Sequence, residues 1–175
     1  GRGNDVYVVD SAGDRILEYG GEGFDLVEAT ISYTLDANVE DLTLRGSANI
    51  NATGNSLQNI LTGNAGDNVL DGRGGADFME GGKGDDIYYV DHRDDVVLEY
   101  NREGFDEIRS SVSYDLAGTY VERLVLTGTA DIDAIGNSKA NRLVGNSGDN
   151  VLDGRGGADQ MAGGLGDDTY HVDHA

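Results

Sequence analysis

Residues 63–89 read GNAGDNVLD, GRGGADFME and GGKGDDIYY, and residues 145–171 read GNSGDNVLD, GRGGADQMA and GGLGDDTYH. Each nine-residue unit approximates G-G-x-G-x-D-x-U-x, with U a large apolar residue. Glycines at the first and fourth positions admit φ > 0 and let backbone carbonyls converge on one point. The sixth position then supplies a hard anionic oxygen. Calcium accepts roughly six to eight oxygens and mixes carboxylates with backbone carbonyls, so two such turns stacked face to face complete a shell that neither builds alone.

The candidate ligands follow from that frame. In the first block they are Gly63, Asn64, Ala65, Gly66 and Asn68, then Gly72, Arg73, Gly74, Gly75 and Asp77, then Gly81, Gly82, Lys83, Gly84 and Asp86. In the second they are Gly145, Asn146, Ser147, Gly148 and Asn150, then Gly154, Arg155, Gly156, Gly157 and Asp159, then Gly163, Gly164, Leu165, Gly166 and Asp168. Position six is asparagine at Asn68 and Asn150, and Asn59 and Asn141 hold it in the degenerate units just before each block. A neutral amide oxygen still coordinates, more weakly. Asp67 and Asp149, at position five, add charge and are expected to point away from the ion.

The frame extends beyond the blocks. Residues 1–8 match positions two to nine of the third unit and bring Asp5. Gly20 to Glu28 fits the template and brings Asp25, after a two-residue insertion, and its counterpart Asn101 to Arg109 retains Gly104 and Asp106. Residues 9–17 and 90–98 lack the first glycine but keep Asp14 and Asp95 at position six.

These turns need a scaffold. The last three positions of each unit, such as Val69-Leu70-Asp71, suit a short strand whose central side chain points inward, so turn and strand alternate along a parallel β-solenoid. If successive units alternate between the two sides of such a roll, turns 18 residues apart are neighbours. Asp77 then lies between Asn59 and Asp95, and Asp86 between Asn68 and Asp106, each aspartate offering one oxygen to the ion above and one to the ion below. Residues 29–53 and 110–135 lose the glycine turn yet keep apolar alternation (Val39, Leu42, Leu44; Val121, Leu124, Leu126), so the coil is expected to continue there without calcium.

A longer duplication contains all of this, with a period of about 82 residues. Val6 to Asp10 matches Ile87 to Asp91, Val39 to Leu44 matches Val121 to Leu126, and Gly54-Asn55-Ser56 matches Gly136-Asn137-Ser138. Copy 1 runs roughly over residues 6–86 and copy 2 over residues 87–168, in one continuous solenoid over 1–175. Both ends cut the array in mid-repeat, which reads as a fragment of a longer protein.

Composition narrows the partners. Twelve Lys and Arg face 33 Asp and Glu, giving a net charge of −21, and 28 glycines with no proline and no tryptophan leave little for a wide core. Without counterions such a chain self-repels. No basic patch exists for nucleic acid or for an anionic membrane surface. There is no cysteine, so no disulfide or thiolate site. No apolar run reaches transmembrane length, and the first residues do not show the basic-then-apolar pattern expected of a cleavable leader.

Gly- and Asp-rich sequence usually means a flexible linker, but linkers do not place Val, Leu, Met or Tyr at every ninth position. The glycine strings lack GxxxxGK[ST] and cradle no phosphate. His92, His171 and His174 lie near aspartates, but calcium prefers oxygen and two of the three recur with the repeat. Tyr7, Tyr88 and Tyr170 occupy one strand position beside the triplets, where aromatic packing in the core is the ordinary role. Neither HExxH nor GxSxG occurs, so no catalysis is expected of the chain itself.

The tandem units at Gly63 to Tyr89, Gly145 to His171 and Gly20 to Glu28 resemble the repeats-in-toxin (RTX) family. The resemblance implies an all-β, right-handed parallel β-roll that binds several Ca2+ ions between turns. It also implies a parent protein passed unfolded through type I secretion machinery and folded outside the cell or at its surface. Family members include toxins, proteases, lipases, epimerases and adhesins. An adhesin or surface-layer segment that binds glycan or itself, or an accessory domain of a secreted enzyme, are the alternatives to a plain calcium-dependent folding module.

Overall fold

The computed structural model describes residues 1–173; His174 lies outside them. Short strands follow one another along the chain: β1 (Val6–Val9), β2 (Leu26–Ala29), β3 (Tyr33–Thr34), β4 (Asp41–Leu44), β5 (Ala52–Thr53), β6 (Ile60–Thr62), β7 (Val69–Asp71), β8 (Phe78–Glu80) and β9 (Ile87–Val90). The second half adds β10 (Val96–Leu98), β11 (Glu107–Ser110), β12 (Tyr114–Asp115), β13 (Arg123–Leu126), β14 (Ala134–Ile135), β15 (Arg142–Val144), β16 (Val151–Asp153), β17 (Gln160–Ala162) and β18 (Thr169–His171). All pair in parallel, and among the described residues there is no helix. One sheet has eight strands, β17-β15-β13-β11-β9-β7-β5-β3. A six-stranded sheet, β1-β2-β4-β6-β8-β10, and a four-stranded sheet, β12-β14-β16-β18, hold the others. From β2 onward successive strands alternate between the eight-stranded sheet and one of the other two. Two strands make a turn, and about nine turns make a parallel β-roll.

Through β16 the inward side chain of each three-residue strand builds the core, as the nine-residue spacing requires; Met161 of β17 is only partly buried and Tyr170 of β18 is exposed. Val27, Leu42, Leu61, Met79 and Val97 stand in register through the six-stranded sheet. Ala52, Leu70, Tyr88, Ile108, Leu124 and Leu143 do so through the eight-stranded one. All of these are buried. The four-residue strands add a second buried position, at Ala29, Leu44, Val90 and Leu126, and a fully buried leucine contributes roughly 1.5–3 kcal/mol. Residues 29–53 and 110–135 continue the coil, through β3 to β5 and β12 to β14.

The turns use glycine differently from the sequence expectation. Left-handed φ falls on the second and fourth positions, not the first: Arg73 and Arg155 adopt +59° and +57°, and Gly75, Gly84, Gly157 and Gly166 take +108° to +128°. The first-position glycines are demanded by proximity instead. A side chain on Gly63 would overlap the Gly81 carbonyl, 18 residues on. Gly75 combines both demands, since a methyl there would overlap the Leu57 carbonyl of the preceding turn. Gly75→Ala is expected to destabilise the roll by roughly 2–4 kcal/mol, whereas Gly74→Ala, which meets open space, should change stability by no more than about 0.5 kcal/mol. Equal thermal midpoints for the two variants in calcium would contradict this packing.

The duplicated segments do not occupy equivalent sheets. Val6–Val9 is β1 of the six-stranded sheet, while its match Ile87–Val90 is β9 of the eight-stranded sheet. The same exchange relates β4 to β13 and β6 to β15.

Candidate metal centre

The sixth-position residues line the two edges of the roll in ladders. On the edge leading into the six-stranded sheet, the Asn59 N–H donates to Asp77 Oδ1 (2.8 Å) and the Asp77 N–H to Asp95 Oδ1 (2.9 Å). Further along that edge Asp5 N–H donates to Asp25 Oδ1 at 2.9 Å. On the edge leading into the eight-stranded sheet, Asn68 N–H donates to Asp86 Oδ1 (2.7 Å), Asp86 N–H to Asp106 Oδ1 (2.9 Å) and Asn141 N–H to Asp159 Oδ1 (2.8 Å). Asn150 N–H meets Asp168 Oδ1 at 3.0 Å in the turns leading to the four-stranded sheet. Asp77 thus stands between Asn59 and Asp95, and Asp86 between Asn68 and Asp106. Because a buried N–H must find an acceptor, Oδ1 of each aspartate takes the preceding turn's amide, and Oδ2 is the oxygen left over.

Asparagine and aspartate solve this position in opposite ways. Asn68 accepts the Asn64 N–H on Oδ1 (2.8 Å) and donates Nδ2 to the Ile50 carbonyl (2.7 Å). Asn59, Asn141 and Asn150 repeat the pattern. Their amides satisfy the turn without an ion. In the Asp77 turn the corresponding N–H, that of Arg73, goes instead to Asp71 Oδ1. Asp95 spends Oδ2 on the N–H groups of Asp91 and His92. Asp77 Oδ2 and Asp86 Oδ2 remain buried with no hydrogen-bond partner, and each packs where a side chain on Gly72 or Gly81 would sit.

An ionised oxygen in that position is costly. Desolvation by burial pushes the carboxyl of Asp77 up to about 7, with the charges of Asp95 and Asp91 adding to it and the Asn59 amide opposing. Asp86 rises to about 7 for the same reason, with Asp106 the leading charge. Such a site wants protons or a cation. One orphaned carboxylate oxygen on each edge, with no cationic side chain paired to it, fits a hard divalent ion. The position-five carboxylates face elsewhere: Asp67 Oδ1 accepts the Asp85 N–H and Asp149 Oδ1 the Asp167 N–H, forming an outer ladder.

A family model for the RTX calcium-binding nonapeptide repeat matches residues 53–88 and 135–170, in four copies. These blocks are RTX repeats. A further relative is the endo-1,3-1,4-beta-glycanase ExsH of Rhizobium meliloti (strain 1021), 46% identical over 61 residues. The match covers 35% of this chain and 13% of that protein. No solved structure matches the chain.

The RTX frame does not contain every acid that the roll gathers. Glu40 Oε2 accepts the Asp25 N–H and Glu122 Oε2 the Asp106 N–H, both at 2.9 Å, so a glutamate replaces the absent sixth-position residue on each edge. Glu18 and Glu99 are buried beside the glycine turns, the first with Asp5 and Asp25 and the second with Asp86 and Asp106. The available signal was recurrence, since Leu-Glu-Tyr at 17–19 returns at 98–100 and Val-Glu at 39–40 returns at 121–122. Tyr88 lies in the core as expected of its position, but its hydroxyl serves polar neighbours, the Gly81 N–H and Glu99. Tyr170 repeats the contact with the Gly163 N–H.

Proposed function

We propose that this chain is a non-catalytic module that binds several calcium ions and folds upon them, within a protein exported by type I secretion. The observation that carries the reading is the pair of buried, partnerless oxygens, Asp77 Oδ2 and Asp86 Oδ2, in glycine turns of the RTX pattern. Asp77 and Asp86 would be the principal side-chain ligands, with Asp5, Asp25, Asp95, Asp106, Asp159 and Asp168 and the carbonyls of the glycine turns completing the shells. The four sixth-position asparagines act as hydrogen-bonding spacers in this reading. The ion supplies compensating charge, and binding free energy available only in the folded state becomes folding free energy. Dissociation constants on the order of 10⁻⁴ to 10⁻³ M are typical of extracellular calcium modules. They leave the chain unloaded at low calcium and loaded outside.

The likeness to a stretch of a glycanase favours one refinement. In it, the module accompanies a polysaccharide-cleaving enzyme and the catalysis resides in another part of that parent chain.

Equilibrium dialysis tests the core claim. Several calcium ions are expected per chain at millimolar calcium, with magnesium a poor competitor because it requires a smaller octahedral shell and dehydrates reluctantly. No bound calcium, or displacement by equal magnesium, would overturn the reading.

A further inference from the structure

The two-residue insertions that interrupt the nonapeptide frame, Glu18-Tyr19 and Glu99-Tyr100, have no role in the RTX pattern. In the second, the glutamate turns into the roll. Glu99 follows β10 and is 1% exposed. Its Oε1 accepts from the Tyr88 hydroxyl, which itself accepts the Gly81 N–H at 2.8 Å. Its Oε2 has no partner, and neither has Asp86 Oδ2. One oxygen from each of Asp86, Glu99 and Asp106 lies within 4.8 Å of the others, and all three residues are buried. Among the described residues no lysine or arginine forms an ion pair with any of them.

The first copy repeats the set with Asp5, Tyr7, Glu18 and Asp25. There Glu18 Oε2 is again unpartnered.

We infer that the insertion Glu99-Tyr100 delivers a third carboxylate to the step between Asp86 and Asp106, creating a buried calcium site tighter than the glycine turns around it. The inference rests on the reading of the chain as a calcium module. Three buried carboxylates cannot all ionise unless a cation joins them, and calcium affinity rises with the number of charged ligands and the rigidity of the site. The donors are all oxygen, which selects a hard cation over zinc or copper. Tyr88 is a positioning residue. Its hydroxyl, held by the Gly81 amide, donates to Oε1 and so fixes the Glu99 carboxylate beside the two aspartates.

Glu99→Gln separates charge from shape, because the amide oxygen still accepts from Tyr88. Competition with a chromophoric chelator should find a tight class of calcium in the wild-type chain. In E99Q that class should weaken tenfold or more, or lose one ion, while the circular dichroism at saturating calcium stays that of the wild type. A wild-type chain that binds calcium and an E99Q chain that binds it identically would sink this inference alone; a wild-type chain that binds none would sink the calcium reading with it. Should E99Q fail to fold at any calcium concentration, Tyr88→Phe decides. With Glu99 intact, terbium bound at the tight class should lose much of its tyrosine-sensitised emission in Y88F, and unchanged emission would overturn the site.

Discussion

In chelator at neutral pH the chain is expected to lose its β signal and expand, and millimolar calcium is expected to restore both. The net charge of −21 opposes compaction at long range, and the buried carboxylates of Asp77 and Asp86 oppose it locally. The chain has no cysteine, so no disulfide holds the core together. Protons should substitute partly for the ion, with a sign that the burial fixes. In the ion-free roll Asp77 and Asp86 titrate near 7, against about 3.9 in an unfolded chain. Between those values the folded state holds more protons, so the stability of the ion-free roll falls as pH rises from about 4 to 7 and changes little above. Acidifying the chelated chain from about pH 8 to pH 5 should therefore recover structure, and the calcium midpoint should rise over the same interval as protons compete. Circular dichroism and hydrodynamic radius read both effects. A chelated chain equally folded at both pH values and unmoved by calcium would refute the coupling.

Asp77→Ala and Asp86→Ala should each raise the calcium midpoint tenfold or more, a change of about 1.4 kcal/mol or above. Each substitution removes the orphaned Oδ2 and also strips an acceptor from the Asn59 or Asn68 amide, leaving a buried N–H unsatisfied. Asn68→Ala is the informative contrast. It removes hydrogen bonds to the Asn64 N–H and the Ile50 carbonyl, which should cost on the order of 1–3 kcal/mol of stability yet leave the number of bound ions unchanged. If Asn68→Ala loses an ion while Asp77→Ala does not, the assignment of spacer and ligand is reversed.

The nonapeptide carries most of the architecture in plain sight, because its two requirements are periodic. An apolar residue every nine positions gives one inward side chain per strand, and Leu61, Leu70 and Met79 fall where that rule puts them. The 18-residue stacking of Asp77 and Asp86 follows from the same count. What the repeat conceals is anything that enters from outside its frame. Glu99 belongs to no nonapeptide and its carboxylate meets Asp86 and Asp106 only after the chain has completed a turn. Likewise the choice made by Asn68, to satisfy its own turn, depends on the Ile50 carbonyl of a stretch with no glycine signature. Arg73 at φ +59° shows the converse, a left-handed position that sequence assigns to glycine but that a cation on an exposed turn also occupies.

The exchange of sheets between the two copies has a consequence for how the molecule is met from outside. One period carries the chain from β1 in the six-stranded sheet to β9 in the eight-stranded sheet, so translation by one unit is accompanied by half a revolution. The duplication is a screw operation. Matching outer residues, such as Val8 and Tyr89, look in opposite directions, and a planar surface laid along the roll touches only one of each pair. Two separate binders recognising the same unit would grip opposite flanks without colliding.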